Sequence, residues 1–223
     1  MNLTNCIPDL KFAIQKRMIG FSIPDAPHMD PEGAAQFEQS IQAASLYLEF
    51  GAGGSTIRAA LLGKPGVSIE GDPHYARDVR RRLMNIPNRI DLINVDIGRT
   101  KQWGYPEDRA ASKANLAKWA EYVNLPFRKL ESGFFDLVLI DGRFRVACAL
   151  RTIVEARKRN AKVRILVDDY HNPEDPRPYY EVIERYAPLV RLAGRMAVFE
   201  IDPEVPGEAP SEDVVLAFIG DCR

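Results

Sequence analysis

At 223 residues the chain is long enough for one domain with a full core and too short for two large ones. Lysine and arginine number 30 against 31 aspartates and glutamates, a net charge of −1, which argues against a global basic field for nucleic acid and a polybasic tail for a membrane. The opening MNLTNCIPDLKF lacks the apolar stretch of a secretory signal, no apolar run approaches the roughly 20 residues of a membrane span, and Cys6, Cys148 and Cys222 lack pairing spacing, so a cytoplasmic protein with reduced thiols is expected.

Short β-type runs alternate with helical stretches along the chain, the pattern of an α/β parallel sheet. Residues 1–43 read as a helical preface, with Asp30-Pro31 as cap and first turn of a helix carrying Phe37 and Ile41. Leu46–Phe50 is the first strand. The turn Gly51-Ala52-Gly53-Gly54 follows, and Ser55 is placed to cap a helix through Leu62. Val67–Glu70 is a second strand, Asp72-Pro73 opens a helix to about Met84, and the third strand covers about Ile90–Asn94. A longer connection, residues 97–132, contains Leu116, Trp119, Ala120 and Val123 on one helical face. Phe135–Ile140 is nearly continuous apolar sequence, as a buried central strand requires. Then come a helix carrying Val146, Leu150, Ile153 and Val154, a fifth strand Val163–Val167, and a helical Tyr179–Tyr186. Leu189–Ala193, Met196–Ile201 and Val214–Phe218 read as antiparallel strands whose pairing is left open.

In open α/β sheets ligands sit beyond the carboxyl ends of the strands, where strand order reverses. Here the first strand runs into EFGAGGST. Glycines allow a sharp turn and close approach to a ligand, and the following helix offers free N–H groups. The dinucleotide fingerprint Gly-x-Gly-x-x-Gly is not met, because Thr56 occupies the third glycine position and the extra glycine is Gly54. Glu49 would repel a pyrophosphate and suits an ammonium. Glu70 ends the second strand at the spacing where an acid accepts hydrogen bonds from both ribose hydroxyls. A plain tight turn is the alternative for the glycines alone.

With these residues in place, the chain resembles class I S-adenosylmethionine-dependent methyltransferases over about residues 44–201. YLEFGAGGST looks like their first motif, contributing Glu49, Gly51, Gly53, Gly54 and Ser55 to the cofactor site; Ser55 stands where the family usually has its third glycine. VSIEGD looks like the second motif, with Glu70 as the ribose acid, and NVDIG places Asp96 where an acid commonly meets the adenine amino group. FDLVLIDGRFR looks like the fourth, with Asp141 facing the methyl group. The resemblance implies S-adenosylmethionine as cofactor and a Rossmann-like class I methyltransferase fold. That fold is a mostly parallel seven-stranded sheet with helices on both faces and an antiparallel C-terminal edge, formed by residues 44–223 after the preface. The implied activity is methyl transfer to an oxygen or nitrogen of a small molecule. A methyltransferase of protein or RNA, and a non-catalytic S-adenosylmethionine-binding protein, are the alternatives. Self-association is left open.

Asp141, Asp168 and Asp169 lie at the fourth and fifth strand ends, where three ionised carboxylates would destabilise one another. Catechol O-methyltransferase and its relatives hold Mg²⁺ with an Asp there and an Asp-Asn pair, and this chain is similar except that Asp169 replaces the Asn. A divalent cation is therefore one reading, and capping of the next segment by Asp168 or Asp169 the other; no residue is assigned as a metal ligand. Asp141, Asp168 and His171 are the candidate catalytic residues, His171 as general base or else a solvated loop residue. Arg143 and Arg145 either bind an anionic substrate or pair with the aspartates. Trp103 either lines the pocket or packs in the core.

Overall fold

The computed structural model describes residues 12, 14–130 and 132–221; Cys6 and Cys222 lie outside them. After a π-helical turn at Gln15–Ile19 the elements are α1 (Pro31–Ala43), β1 (Tyr47–Phe50), α2 (Gly54–Leu61), β2 (Pro65–Glu70), α3 (Pro73–Leu83), β3 (Arg89–Asn94), α4 (Lys113–Arg128), β4 (Leu137–Ile140), α5 (Arg145–Lys158), β5 (Val163–Val167), β6 (Leu189–Ala193), β7 (Met196–Ile201) and α6 (Glu212–Ile219). No helix among the described residues is long and apolar enough to cross a membrane.

Local chemistry accounts for the helix starts. Asp30 Oδ1 accepts from the Glu32 and Gly33 amides at 3.1 and 3.0 Å, with Pro31 in the first turn of α1. Asp72 does the same for α3, accepting from His74 N and Tyr75 N at 2.8 and 3.1 Å. Helix α2 begins two residues earlier than expected: Gly53 takes the cap position, and Ser55 lies inside the first turn.

The sheet runs β3-β2-β1-β4-β5-β7-β6. The β3-β2-β1-β4-β5 pairings are parallel, and β7 pairs antiparallel with both β5 and β6. Period-two alternation divides the central strands between two apolar layers. Leu48, Phe50, Val138 and Ile140 pack with Trp119, Tyr122 and Ile153 from α4 and α5. Tyr47, Leu137 and Leu139 pack with Phe37 and Ile41 of α1.

One expectation for the C-terminal third needs correction. Val214–Phe218 is not a strand; it lies within α6, where Ser211 Oγ accepts from Val214 N at 3.4 Å and Glu212 and Asp213 sit at the positive end of the helix dipole. Val215 and Ile219, four residues apart, are its buried face. The helical stretch expected at Tyr179–Tyr186 is present as 3₁₀ turns over Pro178–Arg185. The pairing left open thus resolves to a β6–β7 hairpin joined through Gly194, with φ +59°, and β7 docked on β5.

Candidate functional site

Strand order reverses between β1 and β4, and a cavity of about 700 Å³ opens above the carboxyl ends of the parallel strands. That volume lies in the range typical of small-molecule sites. Its floor is the turn after β1, Glu70–Asp72 after β2, Asp141–Arg143 after β4 and Asp168-Asp169 after β5. Ile97 and Gln102–Tyr105 form one wall, and Phe21, Pro27 and His28 of the preface form another.

Gly51, Gly53, Gly54 and Ser55 all line this cavity. Gly51 has φ +98°, and a Cβ there would stand 2.6 Å from Gly142 Cα, so the ends of β1 and β4 approach more closely than any side chain permits. Gly54 has a different constraint: its Cβ would lie 1.9 Å from the Ala26 carbonyl oxygen. The second glycine of the pair lets the preface close over the turn.

The two acids of this half of the site divide. Glu70 lines the cavity, accepting from Asp72 N at 2.7 Å and Ala52 N at 3.2 Å, and burial pushes its carboxyl up to about 7. Each carboxylate oxygen retains acceptor capacity toward a ligand. Glu49 does not line the cavity and has no exposed surface. Alternation along β1 turns it beneath α2, where Ser55 Oγ, Thr56 Oγ1 (2.5 Å) and Ser68 Oγ (2.7 Å) donate to it. Glu49 is therefore corrected from ligand contact to brace of the β1–α2 turn, and burial raises its pKa despite those donors. Asp96 is also displaced from its expected place. It pairs with Lys118 Nζ at 2.7 Å, with a side chain 69% exposed, on a separate groove; its neighbour Ile97 faces the cavity instead.

At the other half, Ile140 and Val167 are register partners, so Asp141 and Asp168 emerge side by side. Their carboxyls lie close enough to act on one another's titration. Burial and the facing Asp141 charge push Asp168 up to about 8, and burial also raises Asp141 against the pull of Arg145. At neutral pH Asp168 therefore keeps its proton. Arg145 ties the two strand ends: it donates to Gly142 O at 3.1 Å, to Asp141 Oδ1 at 2.8 Å and to the Asp168 carbonyl. Among the described residues no backbone amide donates to the Asp168 or Asp169 carboxylate as it would to a cap. Asp169, with φ +53°, faces Arg195 at 3.4 Å, Arg145 at 3.6 Å and Arg177 at 3.9 Å. That left-handed turn carries the chain away from the site, so His171 is exposed and does not line the cavity; its amide bonds the Arg195 carbonyl at 3.1 Å. His171 is withdrawn as a general base.

A solved methyltransferase-like protein from Silicibacter pomeroyi DSS-3 matches over 91% of this chain and 100% of its own, at 28% identity and a TM-score of 0.74. The chain shares that protein's fold, the Rossmann-like fold of class I methyltransferases. Looser overlays include the SAH-bound Podospora anserina methyltransferase PaMTH1 (14% identity, 91% of this chain and 97% of that one, TM-score 0.46). Another is an RNA methyltransferase from Salinibacter ruber with S-adenosyl-L-homocysteine (17%, 83% and 99%, 0.43). No protein-family model matches the chain, and no curated protein gives a significant match.

Within this class I frame the carboxylates do not suit the divalent cation that the aspartate pattern suggested. Arg145 already sits between Asp141 and Asp169, and Arg177 and Arg195 close on Asp169. Guanidinium charge compensates these acids, and no group of three ligating side chains among the described residues has the geometry to hold a metal. Sequence reasoning missed Arg177, Arg195, Tyr75 and the preface residues of the lining. Their contribution comes from tertiary folding of distant segments, for which no local motif exists. Trp103 does reach the rim, 74% exposed and 6.2 Å from the His28 ring, whereas Trp119 is core and donates to Ile97 O at 3.1 Å.

Proposed function

We propose that this protein transfers a methyl group from S-adenosylmethionine to an oxygen or nitrogen of a small molecule, with residues 44–223 as the methyltransferase domain and the preface as its cover. The observation that carries the reading is one cavity spanning the switch point, with Glu70 at its β2 end and the Asp141–Asp168 pair at its β4–β5 end. Bound S-adenosylmethionine would supply an activated methyl on its sulfonium sulfur. The glycine turn would receive the cofactor, and Glu70 would accept from the ribose hydroxyls. Asp141, held in one orientation by Arg145, is the base for an acceptor proton, and burial raises its pKa above the ordinary carboxylate range. Asp168, neutral, keeps a second negative charge out of the site. The preface excludes water and limits the acceptor to a size that fits beside the cofactor.

The test is methyl transfer from isotope-labelled S-adenosylmethionine to a metabolite library, followed by Asp141→Asn with the acceptor found. Asn keeps the shape and removes the base. Turnover should drop about 10²–10⁴-fold while cofactor affinity stays nearly intact. Wild-type turnover in Asp141→Asn would exclude Asp141 from proton transfer.

A further inference from the structure

Four guanidiniums, those of Arg143, Arg145, Arg177 and Arg195, surround the β4–β5 end of the cavity. Three have carboxylate partners: Arg145 with Asp141 at 2.8 Å, Arg177 with Asp175 at 2.8 Å, and Arg195 with Asp169 at 3.4 Å. Arg143 forms no ion pair among the described residues. It is 8% exposed, and its guanidinium carbon lies 4.1 Å from the centroid of the Tyr105 ring. Its Nε is buried without a hydrogen-bond partner. A cation–π contact offsets only part of what desolvating a guanidinium costs. Asp141 is hydrogen-bonded to Arg145 and acts on Arg143 only at longer range, and Asp168 holds a proton at neutral pH. This end of the cavity therefore holds a buried guanidinium with no ion-pair partner among the described residues and an unbonded Nε.

We propose that Arg143, steadied by Tyr105, is the anchor for an anionic group on the methyl acceptor, so that the substrate is a small molecule bearing a carboxylate or phosphate. A guanidinium fork suits either group. The assignment to the acceptor follows from position: Arg143 follows β4, on the far side of the switch point from Glu70 on β2. It rests on the methyl-transfer reading above.

The experiment is calorimetric titration of benzoate, inorganic phosphate and neutral benzamide into the protein saturated with S-adenosylhomocysteine, which occupies the cofactor's own carboxylate position. At least one anion should bind measurably and benzamide should not, and the stronger of the two anions identifies the group. Arg143→Gln should weaken that anion at least tenfold, Arg143→Lys by clearly less, with S-adenosylhomocysteine affinity within about threefold of wild type in both. Anions binding no better than benzamide, or Arg143→Gln binding them as wild type does, would overturn the proposal. A tenfold or greater loss of S-adenosylhomocysteine affinity in Arg143→Gln would also overturn it, reassigning the residue to the cofactor carboxylate. If the wild type fails to bind S-adenosylhomocysteine, the methyl-transfer reading itself falls and takes this assignment with it. Cofactor bound without anion discrimination removes the acceptor assignment alone.

Discussion

Two buried carboxyls with displaced titration make opposite use of their protons. Glu70, raised to about 7 by burial, must be ionised to accept charge-assisted hydrogen bonds from a ribose. Protonation of the free protein then competes with the ligand. S-adenosylhomocysteine affinity should hold steady above pH 8 and weaken toward tenfold per pH unit below about 7. Calorimetry from pH 5.5 to 8.5 checks this, and Glu70→Gln should flatten the profile while weakening binding by about 1.5–3 kcal/mol at pH 8. A sloping profile in Glu70→Gln would assign the titration to another group. Asp168 bears on stability. Its folded pKa, about 8, lies above the ordinary 3.8, so the native state keeps a proton that the unfolded chain has released. That contribution is complete below about pH 4 and is lost as pH rises through 8. Asp168→Asn removes the titration and keeps a donor toward Asp141. Its Tm should gain on wild type as pH climbs from 5 to 9, by more than about 3 °C, which corresponds to roughly 1 kcal/mol for a chain of this length. Parallel Tm curves would contradict the protonated Asp168.

Among the elements, the preface has the least visible role in the sequence and a direct one in the structure. Lys16 reaches Asp72 at 2.6 Å and Thr100 Oγ1 at 2.6 Å, and the 24–26 segment lies against Gly54. Gly54→Ala places a methyl where the Ala26 carbonyl stands, 1.9 Å away, while α2 itself tolerates alanine. The variant should keep its fold, become cleavable by protease near residues 24–28, and bind S-adenosylhomocysteine about tenfold more weakly through faster release. Unchanged protease resistance would show that the preface does not depend on this contact. The strands and helices that bracket the site were legible because their signals are local: the Asp72 cap, the apolar run ending at Ile140, the glycine turn. α6 was misread because VVLAF is too short for periodicity to choose between strand and helix, and its Ser211 cap was overlooked. Glu70, Asp141 and Asp168 line one cavity because strand ends converge in a parallel sheet. Glu49, Asp96 and His171 lie outside it because side-chain direction depends on strand face and on the turn at Asp169, neither of which a motif encodes.

At the scale of the molecule, the sheet order β3-β2-β1-β4-β5-β7-β6 places the ribose acid and the carboxyl pair on opposite sides of one switch point, within one cavity. Everything argued for acceptor, base and cover depends on a sulfur nucleoside occupying that cavity. The direct measurement is binding of S-adenosylhomocysteine to the wild-type chain, by calorimetry and by thermal shift, with NAD as control. One site per chain is expected. At a hundredfold excess over Kd the stabilisation should reach about 2.7 kcal/mol, a Tm rise of roughly 5–10 °C at this chain length, and NAD should leave the Tm unchanged. No heat and no shift with either S-adenosylhomocysteine or S-adenosylmethionine at high micromolar ligand, in a folded protein, would contradict the account.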